Sequence, residues 1–325
     1  MLVLCFGINI SFGSVDIPLS ATFRELFGFE NTNDSYGYII WDYRIPKAFT
    51  AILVGSGLSL SGLLMQTLFR NPLAGPFVLG ISSGASLGAA LLIMGGGLFT
   101  MGYSLVNDLS LSIASSLGSI LVLLIVVAIA RKVKDTMALL IIGLMFASIT
   151  AAVVTVLSYF ARADELQQYI FWTFGTVGNL SNSQVFILAS IISVGFLLSF
   201  GAVKPLNALL LGENYARSLG VKIGRSRNLI IVATGLLAGS VTAFAGPIAF
   251  IGLAVPHLTR QLLNTTDHKV LIPGVMLYGG ILLLICDTIA QLPSSSYVLP
   301  INAITSIIGA PVVIWLLLRK RNMIF

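Results

Sequence analysis

Nine mostly apolar stretches, near residues 48–69, 78–95, 109–130, 136–160, 184–203, 228–245, 248–263, 270–290 and 301–318, contain few or no charged side chains. A bilayer core takes about 20 apolar residues per helix. Inside it every backbone N–H and C=O must be satisfied within the chain. So many span-sized runs in one chain of 325 residues leave an all-α, polytopic membrane helix bundle as the fold. Composition agrees. Hydrophobic residues make up 57% and charged residues 9%, against roughly 25% charged in soluble domains. The opening stretch, Met1 to Gly13, is apolar but short, and it lacks the basic start and small-residue cleavage site of a signal peptide. Read as a first helix, it raises the expectation to about ten spans in a single domain over 1–325.

The distribution of positive charge orients the bundle. Of the 18 Lys and Arg residues, only Arg24, Arg44, Lys47 and Arg162 fall on one side when the spans alternate. The others, from Arg70, Arg131 and Lys132 through Lys204, Arg217 and Arg260 to Arg319, Lys320 and Arg321, collect on the other. Basic residues stay cytoplasmic, so the pattern predicts ten spans in a cell (inner) membrane with both termini inside. The net charge of +6 then reflects topology and gives no case for nucleic-acid binding. Cys5 and Cys286 are far apart in apolar runs and offer neither a disulfide framework nor a metal-ligand spacing.

Two connecting segments exceed what a turn requires. The external one, about 14–47, is amphipathic and ends in Tyr43-Arg44-Ile45-Pro46-Lys47. The cytoplasmic one, about 204–227, predicts two short helical pieces broken at Gly212 and stopped at Gly220. Leu206, Leu209 and Leu210 fall on one apolar face of it, and Glu213 and Arg217 form an i,i+4 pair. Such a basic-flanked knuckle can dock into another protein's cleft, or lie on lipid as an interfacial helix. Mixed charge and a modest apolar face favour the protein.

Several chemistries are absent. No G-x-x-x-x-G-K-[ST] phosphate loop occurs, nor H-E-x-x-H, and the histidines are His257 and His268. Asp287 is the one acid inside a late span, near its outer end, whereas ion-coupled carriers place ionisable groups near the midplane. Gly80-Ile81-Ser82-Ser83-Gly84 matches G-x-S-x-G, with His257 imaginable as a base, but that motif needs a strand–turn–helix setting. Small residues that open a helix and let it pack closely explain the same letters.

The residues Arg44-Ile-Pro-Lys47, Asn71-Pro72-Leu73-Ala74 and Leu79 to Ala85 resemble the N-terminal signature of the FecCD-type permeases. Leu211-Gly212-Glu213, Ala216 to Gly220, Ala245-Gly246-Pro247, Pro256-His257 and Ile308 to Pro311 continue the resemblance in the family's order. It implies the permease subunit of a binding-protein-dependent ABC importer for iron-siderophore, haem or cobalamin-type chelates. Its implied partners are a second copy of the chain, two cytoplasmic ATPases and an external binding protein. No metal or cofactor is expected in the chain, ATP being used by the partner. By the same resemblance Arg44 and Lys47 meet acids of the binding protein, with Gln291 where cobalamin-carrying members have a third basic residue. Leu209, Leu210, Gly212, Glu213, Tyr215, Arg217, Leu219 and Gly220 belong to the ATPase-coupling segment. Ser83, Thr136 and Met137 match the cytoplasmic gate, and Asn302 and Thr305 the lining of the pathway. The plainer alternatives are that Arg44 and Lys47 anchor a helix end by snorkelling, and that Asp287 and His257 are structural. A self-contained secondary transporter, and more remotely an intramembrane serine protease using Ser82, are the competing functions.

Overall fold

A computed structural model describes residues 1–13, 15, 17–26, 28, 34–95, 107–133, 135–291 and 297–318. Among these residues all regular structure is helical. Helix α1 (Leu2–Ser11) is followed by α2 (Leu19–Leu26), and α3 (Asp34–Tyr38) passes through a π-helical turn, Ile39–Arg44, into α4 (Ile45–Leu68). Then come α5 (Ile81–Met94), α6 (Asp108–Lys132), α7 (Thr136–Phe160), α8 (Ala163–Thr173) and α9 (Asn182–Gly201). The second half holds α10 (Val203–Leu210), α11 (Glu213–Ser218), α12 (Ile223–Ala245), α13 (Ile251–Leu263), α14 (His268–Ala290) and α15 (Ile301–Leu318).

Among the described residues six helices are long and apolar enough to cross a membrane unaided: the continuous Ser35–Leu68 rod, α6, α7, α9, α12 and α14. Helices α1, α5, α13 and α15 are shorter, and with them the bundle is compatible with about ten crossings. At 1.5 Å per residue, the 13 residues of α13 reach only about 20 Å. The segment before it, Gly246–Phe250, is non-helical, as is most of Asn71–Gly80 before α5. Non-helical backbone is tolerated at membrane depth where protein surrounds it, and Pro76, Val78 and Leu79 are buried. The hydropathy windows near 78–95 and 248–263 thus mark crossings of which only part is helix.

Helix α4 is the axis of the molecule. Its membrane window is 83% buried, against 17% for α7, although α7 is the more hydropathic. Around α4 lie α14, α12, α13 and α9, while α5 packs on α6 and α7. Small residues set these distances: a Cβ on Gly62 would run into the Gly252 carbonyl, and one on Gly55 into that of Gly279. Without water to drive helices together, van der Waals contact at such crossings does so.

Candidate functional site

At the end of the bundle that carries Arg70, Arg131 and Lys132, two short helices stand away from the long ones. Helix α10 is anchored by Leu206 and Leu209, both buried. Gly212 (φ +104°) then reverses the chain into α11, and Gly220 (φ +80°) ends it; a side chain in that backbone region is strained, so glycine is required at both. The break and the stop fall where the sequence placed them. Leu209 points inward, holding the knuckle to the bundle, whereas Leu211, Tyr215 and Leu219 are exposed.

The knuckle faces the start of α7 across a cleft of about 470 Å³, lined by Arg70, Asp135, Met137, Glu213 and Tyr215 among others. Asp135 caps α7, its carboxylate accepting from the Met137 and Ala138 N–H groups at 3.0 and 3.3 Å. That cap fixes where Thr136 and Met137 stand. The Thr136 hydroxyl donates to Glu213 Oε1 at 3.1 Å. Glu213 also meets Arg217 at 3.5 Å and the buried Arg227 at 3.8 Å, and Arg227 donates to the Val133 carbonyl at 2.7 Å. Thr136 and Glu213, more than seventy positions apart in the chain, therefore belong to one polar cluster. Ser83 stands apart from it, partly buried on α5. Gly80 abuts Gly143 of α7, seven residues and thus about 10 Å beyond Thr136. The Ser82 hydroxyl accepts from Thr242 and opens a helix after a 3-10 turn, so the setting a nucleophile elbow needs is missing.

The opposite end holds Arg44, Lys47 and Gln291, and none is presented to water. Arg44 is 5% exposed; it donates to the carbonyls of Ile10 and Ser11 at 2.7 and 3.0 Å and to that of Val15, tying off the end of α1. Lys47 forms an ion pair with Asp287 at 3.2 Å, the side chains 7% and 3% exposed. The other carboxylate oxygen accepts from Gln291 at 2.8 Å and Asn9 at 2.9 Å. A cavity of about 280 Å³ at this end touches this pair and the rings of Tyr43, Phe171 and Phe174. Asn302 accepts from the Ala249 N–H at 3.1 Å, and its own N–H donates to the Phe174 carbonyl. Asn302 thus knits α15 to the loops beside it, whereas Thr305, 1% exposed, donates to the Asn302 carbonyl within the same helix.

Sequence reasoning missed Asn9, Thr67, Asn207 and His268 as parts of buried polar clusters. For Asn9 and Thr67 the available signal was a polar residue inside an apolar stretch, which is expensive in lipid unless partnered; Asn207 and His268 lie outside those stretches. Asp267 caps α14; the Lys269 N–H and then the Asn207 amide, both donating to its carboxylate, hold its pKa below the usual 3.8. Among the described residues no group of three His, Cys, Asp or Glu side chains is disposed to hold a metal.

Residues 1–319 match the FecCD transport family. The chain is 39% identical to the vitamin B12 import system permease protein BtuC of Salmonella schwarzengrund over 283 residues, 87% of this chain and 84% of that one. To the BtuC of Citrobacter koseri it is 38% identical over the same share. A solved chain described as an ABC transporter of metal-chelate type, in an inward-facing conformation, superposes with a TM-score of 0.85 at 28% identity, covering 98% of this chain and 96% of that one. PsaBC from Streptococcus pneumoniae, at 0.59 and 18% over 86% and 92%, shares the fold alone. A transport permease and not an enzyme, this multi-pass inner-membrane protein belongs to the FecCD transport family.

Proposed function

We propose that residues 1–325 form one permease domain of an importer for cobalamin or an iron chelate, working as a homodimer with both termini in the cytoplasm. Two ATPases dock on the 204–227 segment, and an external binding protein delivers the cargo. The observation that carries this reading is the 3.1 Å bond between Thr136 and Glu213, which gives a partner seated on the knuckle a direct hold on the start of α7. The exposed Tyr215, Arg217 and Leu219 supply the docking face, with Tyr215 as its anchor, since buried aromatics dominate such interfaces. Leu210, Gly212 and Gly220 shape it. Met137 and the more distant Ser83 line the same route inward, and Asn302 and Thr305 brace its outer mouth.

On the outside, the docking face centres on the exposed Trp41 and Tyr43, with Arg44, Lys47 and Gln291 beneath. A binding protein's carboxylates reach these cations only by competing with the α1 carbonyls and Asp287. Relatives named for vitamin B12 import favour a corrinoid as cargo over an iron-siderophore or haem. The test is reconstitution in vesicles with the partner ATPase and binding protein, measuring uptake of radiolabelled cyanocobalamin and of a ferric hydroxamate. ATP-dependent accumulation of one supports the reading. Accumulation driven by an ion gradient in vesicles holding this chain alone overturns it in favour of a secondary transporter.

A further inference from the structure

Helices α4 and α14 run side by side through the molecule and are clamped by polar side chains at both ends. At the outer end the clamp is Lys47 on α4 with Asp287 on α14, 3.2 Å apart. At the cytoplasmic end Thr67, in the last turn of α4, lies 2.9 Å from Nε2 of His268, the first residue of α14. From Lys47 to Thr67 is twenty residues, or about 30 Å of helix, which is the whole apolar thickness. Between the clamps the pair has no slack. The backbones touch at Gly55 and Gly279, and the Ser56 hydroxyl donates to the Met276 carbonyl at 2.7 Å.

The cytoplasmic clamp does not stop at His268. Its backbone N–H and its Nδ1 are 2.9 and 2.7 Å from the same oxygen, Oδ1 of Asn207. The Asn207 amide nitrogen in turn donates to Asp267 at 2.6 Å. That carboxylate and that backbone N–H fix which end of the amide is oxygen. Nδ1 is therefore the donor, and Nε2 is an acceptor facing the Thr67 hydroxyl, whose one proton is shared between it and the Leu63 carbonyl, each 2.9 Å away. His268 is fully buried and Thr67 is 1% exposed. Asn207 belongs to α10, the inner half of the knuckle.

We infer that Asn207, His268 and Thr67 are positioning residues that key the knuckle to the α4–α14 pair, so that the pair moves as one strut and carries a displacement of α10 to the outer docking face. The inference rests on the permease reading and adds a route to it. This route is separate from the Glu213–Thr136 bond, which leads to α7. Two clamps 30 Å apart on close-packed helices make a rigid element, and coupling between distant sites is carried by such elements.

The test reads motion at the outer end directly. A bimane fluorophore is placed at the half-exposed Trp41 by Trp41→Cys, with Cys5→Ala and Cys286→Ala, in the chain assembled with its ATPase in nanodiscs. Emission is compared without nucleotide and with ATP plus vanadate. Thr67→Val keeps the shape of the side chain and deletes only the hydroxyl, whereas Thr67→Ser keeps it. The nucleotide-dependent change should fall about ten-fold in Thr67→Val, a typical coupling loss, and return to within two-fold in Thr67→Ser. Asn207→Ala should cause the same loss, and combining it with Thr67→Val should cause no further one. ATPase capture and basal hydrolysis should remain in Thr67→Val and Thr67→Ser, whose position lies outside the docking segment. Equal emission changes in Val, Ser and unmodified chains overturn the relay while leaving the permease reading intact. So does a loss that Ser does not restore. An unmodified chain that captures no ATPase overturns both.

Discussion

The Lys47–Asp287 pair allows a calculation that separates folding from docking. Its atoms are 3.2 Å apart, with side chains 7% and 3% exposed. Removing one member of a buried pair leaves the other charge without its counter-ion, which costs about 3–5 kcal/mol. In Lys47→Ala the carboxylate keeps two neutral donors, Asn9 and Gln291, so the loss belongs at the lower end, about 3 kcal/mol. Removing both charges abandons neither. Lys47→Ala combined with Asp287→Ala should therefore be no less stable than Lys47→Ala alone, a coupling of about 3 kcal/mol or more. Thermal unfolding of the purified protein in detergent measures it, the single change lowering the midpoint by about 4 °C. If the two single costs simply add, to within about 0.5 kcal/mol, the pair is not in contact and the outer clamp is wrong. The same arithmetic bears on docking experiments. Reversing Lys47 to Glu would set two carboxylates against each other inside the protein, and reversing Arg44 would leave the α1 carbonyls without a donor. Lost uptake in those variants must be read against stability measured in parallel.

Three further outcomes are expected. Tyr215→Ala should leave membrane insertion intact and weaken ATPase capture in co-purification by roughly thirty-fold, the effect of a 2 kcal/mol interface anchor. Glu213→Ala should reduce capture less while destabilising the chain by about 1 kcal/mol through the lost Thr136 bond, and equal damage to capture from both changes would refute this division. Gly62→Ala should cost about 2 kcal/mol or more, since its Cβ meets the Gly252 backbone. Gly7→Ala, with nothing within 4 Å, should be neutral or stabilising by about 0.5–1 kcal/mol; denaturant midpoints of the two variants decide it. Finally, the lowered pKa of Asp267 means that the unfolded chain takes up the proton first as pH falls. Its stabilisation is complete above the ordinary carboxylate range and disappears as pH drops through the folded value. Stability measured downward from about pH 5 should therefore fall more steeply in the unmodified chain than in Asp267→Asn, and parallel curves would refute the cap's role.

The sequence by itself determined everything that depends on neighbours in the chain. Hydropathy located the crossings, because the cost of exposing backbone to lipid acts on each segment separately. The basic residues carry the expectation of their orientation, and Gly212 and Gly220 broke the 204–227 segment, because only glycine takes that backbone conformation freely. The motif blocks identified the family and suggested which residues meet the ATPase.

Only the tertiary structure decided which of those residues are available. Arg44 and Lys47 read as cations near a helix end, and nothing local distinguishes one that faces water from one that faces a carbonyl or a carboxylate. Lys47 is spent on Asp287, at the far end of another helix. Leu209 and Tyr215 lie six residues apart in one knuckle, yet one is buried and the other exposed, because Leu209 is on the face of α10 turned to the bundle and Tyr215 is on the face of α11 turned away from it. Asn207 and His268 are sixty-one positions apart, and their partnership has no periodic signature. Packing brings such pairs together, and in a membrane core a polar group must find its partner wherever the fold supplies one.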